Sequence, residues 1–283
     1  EGKAISDAHL QSCDIAEIEL QDSTLCEHFH EKFFVDRNLS RKLVSFQANK
    51  SRPYYRWYKY KEAFSAALVE YLLTEYSIAS GKILDPFAGS GTALFTASQM
   101  GLDADGIELL PMAQEIINAR VNLEEQFSDK DFACLRRWIE QKPWETTAAR
   151  CSLTTLRITD GAYPPLTLEM VEKYLAAADV ESDKVKQILL FALLSILESI
   201  SYTRKDGQYL RWDTRSGRRA GTRPFDKGKI LEFNEAITQK LSDIVTDSMK
   251  ANQSRLIGRT SAKGRIHLHG GSCLEILPKL PEN

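Results

Sequence analysis

The sequence predicts an α/β fold: an open parallel sheet, left incomplete, with a mainly α-helical insertion set into it. Three observations predict it. A short apolar run, Ile83-Leu84, stops at Asp85 and gives way to a loop of small residues with two glycines before a helix-forming segment begins. A second short strand pattern, Ala104 to Glu108, follows at the spacing of a βαβ unit. A long helical stretch then separates these from a third strand pattern, Arg265 to His269.

Composition bounds the rest. The 283 residues suffice for one large domain or for a core domain carrying an insertion, and 43% hydrophobic residues are enough for a core. Basic residues (37) and acidic residues (39) leave a net charge of −2, which excludes a uniformly basic nucleic-acid coat, so any such contact must be local. No targeting segment is recognised, and the longest apolar run, Ile188 to Leu194, is too short to span a bilayer. A soluble, cytoplasmic protein without membrane contact is expected. Five cysteines (Cys13, Cys26, Cys134, Cys151, Cys273) are widely spread with no CxxC pair and read as reduced thiols. Cys26, His28 and His30 sit close together, but alternate positions do not give zinc-ligand spacing and no second pair completes four ligands. No metal is expected.

In chain order, residues 1–45 form an N-terminal accessory segment of short apolar groups among many charges, expected to pack on the outside. Residues 46–125 are expected to be a ligand-binding βαβ core. It opens with Ser51 to Ser65, where aromatics alternate with basic residues; this stretch suits a wall of the ligand site, structural packing or nucleic-acid contact. An amphipathic helix follows, with Ala67, Leu68, Tyr71 and Leu72 as its apolar side. Next come Asp85-Pro86-Phe87-Ala88-Gly89-Ser90-Gly91-Thr92 and a helix N-terminus, where glycines permit positive φ and bare N–H groups face a ligand. Glu108 ends the second strand, at about the spacing where such folds place a carboxylate for ribose hydroxyls. Two acids with a glycine loop suit an adenosyl ligand better than a pyrophosphate, and Leu94 stands where a dinucleotide loop has its third glycine.

The run Asp85 to Thr92 resembles the S-adenosylmethionine-binding motif of the amino-methylating DNA methyltransferases, which act on N6 of adenine or N4 of cytosine. That resemblance implies an S-adenosylmethionine-dependent, Rossmann-like methyltransferase sheet. It also implies that Asp85, Pro86, Phe87, Ala88, Gly89, Ser90, Gly91 and Thr92 face the methionine part of the cofactor and Glu108 the ribose. The segment before the preceding helix, with Lys61 and Phe64, is implied to lie over the methionine end.

Residues 126–260 are expected to be a mainly helical insertion. Pro111–Phe127 precedes it as a helix with an apolar stripe, and Cys134, Leu135, Trp138 and Ile139 continue at helical spacing up to Pro143. Tyr163-Pro164-Pro165-Leu166 carries the two prolines of the family's catalytic loop without its polar residue or following aromatic, and reads as a loop before a helix over 168–178. Helices over 183–202 and 230–250 follow. Between them, residues 201–227 read as a long loop in which basic residues outnumber acids. Arg204, Lys205, Tyr209, Arg211, Trp212, Arg215, Arg218, Arg219 and Arg223 are its candidates for phosphate and base contacts.

Residues 261–283 return to the core as a third strand and the start of a helix. Gly270-Gly271-Ser272 resembles the family segment near the adenine ring, with Ser272 where an acid is usual. In the resembled family the catalytic Pro-Pro loop follows at once; here it is absent, so a C-terminal continuation or second polypeptide is expected to supply it, and this chain alone is expected to be inactive. DNA is the expected partner, S-adenosylmethionine the expected cofactor, and a restriction-modification system the expected setting. Two other readings stay open: a non-catalytic DNA-binding or docking subunit with a retired cofactor fold, and an RNA methyltransferase.

Overall fold

The computed structural model describes residues 15–32, 36–154, 156–206, 209–218, 224–256 and 262–281. The chain divides into two units, Glu1–Ser40 and Arg41–Asn283. The first holds helix α1 (Ile15–Phe29) and a 3-10 turn, His30–Lys32. On α1, Cys26 and His28 are two positions apart and so project from different sides of the helix.

The boundary falls at Ser40 rather than at residue 45, because the chain from Arg41 onward is already tied to the larger unit: the Leu43 carbonyl accepts the Ser65 hydroxyl. The same Ser65 oxygen accepts the Leu68 N–H (3.1 Å) and caps α2 (Ala66–Glu75). This helix buries Ala66, Val69 and Leu73, while Leu72 is exposed, so the buried side lies one residue round from the expected stripe. The reason is that α2 packs across α3, and the 3.6-residue period leaves room for either apolar row.

Three parallel strands form the sheet in the order β1 (Lys82–Asp85), β2 (Asp103–Glu108), β5 (Ile266–Gly270). Asp85 pairs with Gly106 at one junction and Glu108 with Gly270 at the other, so the C-terminal ends of the strands lie together. Between β1 and β2 runs α3 (Thr92–Gln99), packed on the face that carries Ile83, Ala104, Ile266 and Leu268. Leu94, fully buried on α3, lies so close to β2 that a Cβ at Gly106 would stand 2.5 Å from it. The glycine that permits close helix-to-strand approach thus sits on the strand, which accounts for Leu94 in the loop pattern.

Helix α4 (Pro111–Glu125) begins with proline at its first position and buries Ala113, Ile116, Ile117, Ala119 and Leu123. It belongs to two cores. Ile117 joins the sheet core, whereas Ile116, Ala119 and Leu123 join a helical core with Trp57, Leu135, Trp138, Trp144, Tyr174, Ile188 and Ile237. The helices of that core are α5 (Asp129–Gln141), α6 (Pro143–Thr146), α7 (Pro165–Ala178), α8 (Asp183–Ile196) and α9 (Phe233–Leu256). A capping box starts α5: the Ser128 hydroxyl oxygen accepts the Asp131 N–H, and the Asp131 carboxylate accepts the Ser128 N–H. The expected helix at 168–178 begins three residues earlier, at Pro165, since proline suits a first helical turn.

The stretch read as a loop over 201–227 contains regular elements among its described residues. It contains an antiparallel hairpin, β3 (Thr203–Asp206) with β4 (Tyr209–Trp212), then a 3-10 turn, Thr214–Ser216. Charged residues hid the pattern, because a two-stranded hairpin needs no apolar face of its own to alternate against. α8 correspondingly ends at Ile196 rather than running to residue 202.

Candidate functional site

The glycine loop begins where β1 stops. Asp85 turns its carboxylate back to accept the Phe87 N–H (3.0 Å), and the Ala88 N–H donates to the Ile107 carbonyl (2.9 Å), tying the loop to β2. The Gly91 N–H closes the turn on the Ala88 carbonyl (2.7 Å). Gly91, which caps α3, has φ +78°, and a Cβ there would lie 2.8 Å from Phe95 and 3.0 Å from Ile117. Both conformation and space therefore require glycine. Ala88 and Thr92 are buried, Pro86 and Ser90 are half-buried, and Phe87 is exposed.

Glu108 is buried at the end of β2. Its carboxylate accepts the Gly89 N–H through Oε2 and the Leu110 N–H through Oε1, both at 2.7 Å. One acid thus holds the glycine loop and the entry to α4 together, and each oxygen keeps a lone pair for a further donor. The Glu108 carbonyl accepts the Gly271 N–H (2.9 Å), which brings Ser272, at the start of α10 (Cys273–Ile276), to the same strand end. Burial pushes the Asp85 carboxyl up from its ordinary value, the Phe87 N–H opposes that, and the Glu108 charge adds to the rise.

Of the aromatic and basic stretch, Tyr55 and Trp57 are core residues, and Trp57 Nε1 donates to buried Asp247 (2.9 Å). Tyr60 is the residue that meets the loop: its ring stands 3.3 Å from where a Cβ on Gly89 would be. Lys61 points elsewhere, donating to the Lys205 carbonyl and lying 3.5 Å from Glu198. Lys205 returns the link through Glu62 (2.9 Å). Phe64 is partly exposed, with its carbonyl accepting Asn49 Nδ2 (3.1 Å). Residues 60–62 therefore bridge the glycine loop to the β3–β4 hairpin. Sequence reading passed over Tyr60; its signal was an aromatic shortly before the helix that leads into the loop.

On the hairpin, Arg204 pairs with Arg211 and Asp206 with Tyr209, which puts both arginines and the exposed Tyr209 on one face. Lys205 and Trp212 lie on the other. The Arg211 guanidinium covers the Phe225 ring (4.3 Å to the centroid), and Arg218 covers Trp212 (4.0 Å) while donating to the Arg157 carbonyl (2.8 Å). Arg215 is bound inward. It grips the buried Asp213 carboxylate through Nε and Nη2, both at 2.7 Å, and holds that carboxyl well below the usual range. The Lys227 ammonium, pushed down to about 8 by burial, donates to the Ser201 carbonyl (2.7 Å) below the hairpin. Arg219 and Arg223 lie outside the described residues.

A family profile for DNA methylases matches residues 26–119, which include the whole glycine loop and Glu108. The chain is 51% identical over 270 residues to the Type II methyltransferase M.AvaI of Nostoc sp. (strain PCC 7120 / SAG 25.82 / UTEX 2576), a match covering 95% of this chain and 56% of that protein. The chain belongs to the amino-methylating DNA methyltransferases. Type II methyltransferase M.BsoBI of Geobacillus stearothermophilus is 35% identical over 261 residues, covering 86% of this chain and 50% of the relative. The chain spans about half the length of the curated relatives it matches. No solved structure matches it. The mixed α/β architecture with a parallel sheet is consistent with the Rossmann-like fold of S-adenosylmethionine-dependent enzymes. In this family member Pro164 and Pro165 stand at the start of α7, and the Ala162 carbonyl just before them accepts the Tyr202 N–H (2.7 Å). Among the described residues no helix is long and apolar enough to cross a membrane.

Proposed function

We propose that this chain is the S-adenosylmethionine-binding part of a cytoplasmic DNA methyltransferase that methylates an exocyclic amine, N6 of adenine or N4 of cytosine, within a restriction-modification system. The observation that carries the reading is the pair of acids at the strand ends, Asp85 and buried Glu108, around a loop whose Gly91 has no room for a side chain. Negative charge and a bare backbone suit a cationic adenosyl ligand. Residues Asp85 to Thr92, with the Tyr60 ring against Gly89, would hold its methionine part, Glu108 its ribose hydroxyls, and Ser272 its adenine side, while Lys61 and Phe64 flank the segment that carries Tyr60. The cofactor supplies an electrophilic methyl group on a sulfonium. This chain's residues bind and orient it, and α2 and α3 keep water from one side of the loop.

The target base is held elsewhere. Its amine is conjugated into the ring and needs hydrogen-bond acceptors to become nucleophilic, and the base must leave the duplex to reach the methyl group. We assign those acceptors to a C-terminal continuation or second polypeptide, and assign DNA contact in this chain to Arg204, Arg211 and Tyr209, with Lys205, Trp212, Arg218, Arg219 and Arg223 flanking. Arg215 shapes the turn through Asp213.

Calorimetric titration of S-adenosylmethionine into the purified chain, alone and with the polypeptide that completes it to its relatives' length, tests the reading. Binding that appears or tightens with the second piece, followed by methyl transfer to DNA, is the expected result. No binding in either case would remove the enzyme reading and leave a DNA-docking module.

A further inference from the structure

The face of the sheet opposite α3 carries a cluster that the cofactor site does not use. His267 and His269 alternate along β5 and so project to the same side, and Asp105 on β2 is the register partner of His267. His267 Nδ1 lies 3.0 Å from His269 Nε2, and His269 Nε2 lies 4.0 Å from Asp105 Oδ2. All three ligand atoms fall within 4.8 Å of one another. A tetrahedral metal with bonds of about 2.0–2.1 Å sets its ligand atoms roughly 3.3 Å apart, so small side-chain rotations close the set.

We propose that Asp105, His267 and His269 form a site for a first-row divalent cation of the zinc class. Two imidazoles with one carboxylate favour zinc, cobalt or nickel over magnesium and calcium, which take oxygen-rich sets. Parallel strands in register fix the three side chains without any loop, and exposed His267 leaves a further position open to water or to a ligand from a covering segment. A cation already neighbours the carboxylate: the Lys82 ammonium is 3.1 Å from Asp105 Oδ2. Its side chain is 47% exposed, so it can swing into solvent when a metal takes that oxygen. Asp103, on the same face, is engaged by Arg265 and leaves the three-residue set undisturbed.

Titration of the full chain with Co2+, followed by absorption in the visible range, reads the site directly. The expected result is saturation at one equivalent with bands of a four- or five-coordinate ion, reversal by Zn2+, and no thiolate charge-transfer band. His267→Ala and His269→Ala, checked for folding by circular dichroism, lose that saturation; Asp105→Asn weakens it; Lys82→Met keeps or tightens it. Saturation with Co2+ is unchanged when S-adenosylmethionine is added, which separates the site from cofactor binding. Absence of saturable binding by the unsubstituted chain, or binding that survives both histidine substitutions, overturns the proposal and leaves a hydrogen-bonded polar cluster.

Discussion

At the scale of single residues, the glycine loop tolerates little. Gly91→Val forces a branched side chain into a positive φ and against Phe95 and Ile117. Strain and overpacking together cost about 2–4 kcal/mol. Urea unfolding will report that loss, and S-adenosylmethionine binding will disappear with it. Asp85 makes a pH-dependent prediction. Its folded-state value is raised, so as pH falls through that value the carboxylate is neutralised earlier than an ordinary aspartate would be. Affinity for a cationic ligand should then decline at the acid end in the parent chain and stay flat in Asp85→Asn, as followed by calorimetry across pH. Both residues were legible in the sequence, since a glycine pattern after a short apolar run has few other uses. The bond from Gly89 to Glu108 was not: spacing put the acid at a strand end, but only the three-dimensional turn of the loop shows which N–H it receives.

At the scale of the element, the β3–β4 hairpin separates charges that face outward from charges that hold the fold. If the proposed DNA contacts hold, Arg204→Ala and Arg211→Ala should each lower DNA affinity and reduce the slope of log affinity against log salt by about 1, as the loss of one phosphate contact would. Arg215→Ala should behave differently. It strips the buried Asp213 carboxylate of its cation, so the melting temperature falls, and DNA affinity falls only as the turn loosens. Fluorescence anisotropy over a salt series, beside thermal melts, distinguishes the two. The sequence showed that this region is basic but not which arginines are spent internally, since an aspartate two residues away reads the same whether buried or solvated. The apolar row of α2 was misplaced for a related reason: two rows of the helix are apolar, and the neighbour across which it packs chooses between them.

At the scale of the whole larger unit, two hydrophobic cores share α4, and the segment carrying Trp57 runs from one to the other. Trp57→Ala should cost about 3–5 kcal/mol through the cavity it leaves and the donor it takes from Asp247, measured by urea denaturation. Helix α4 was legible from its stripe, yet its double allegiance was not, because periodicity tells that a side is buried and not against what. The parallel order of β1, β2 and β5 also has a consequence for variation over time. The chain leaves the sheet at Glu108 and returns at Ile266, and those two exits are adjacent strands of one ladder. Closing a longer or shorter excursion between fixed anchors changes the entropy only logarithmically. The excursion between them can therefore gain or lose residues away from α4 and the hairpin's contacts with residues 60–62 while the glycine loop keeps its place between β1 and α3.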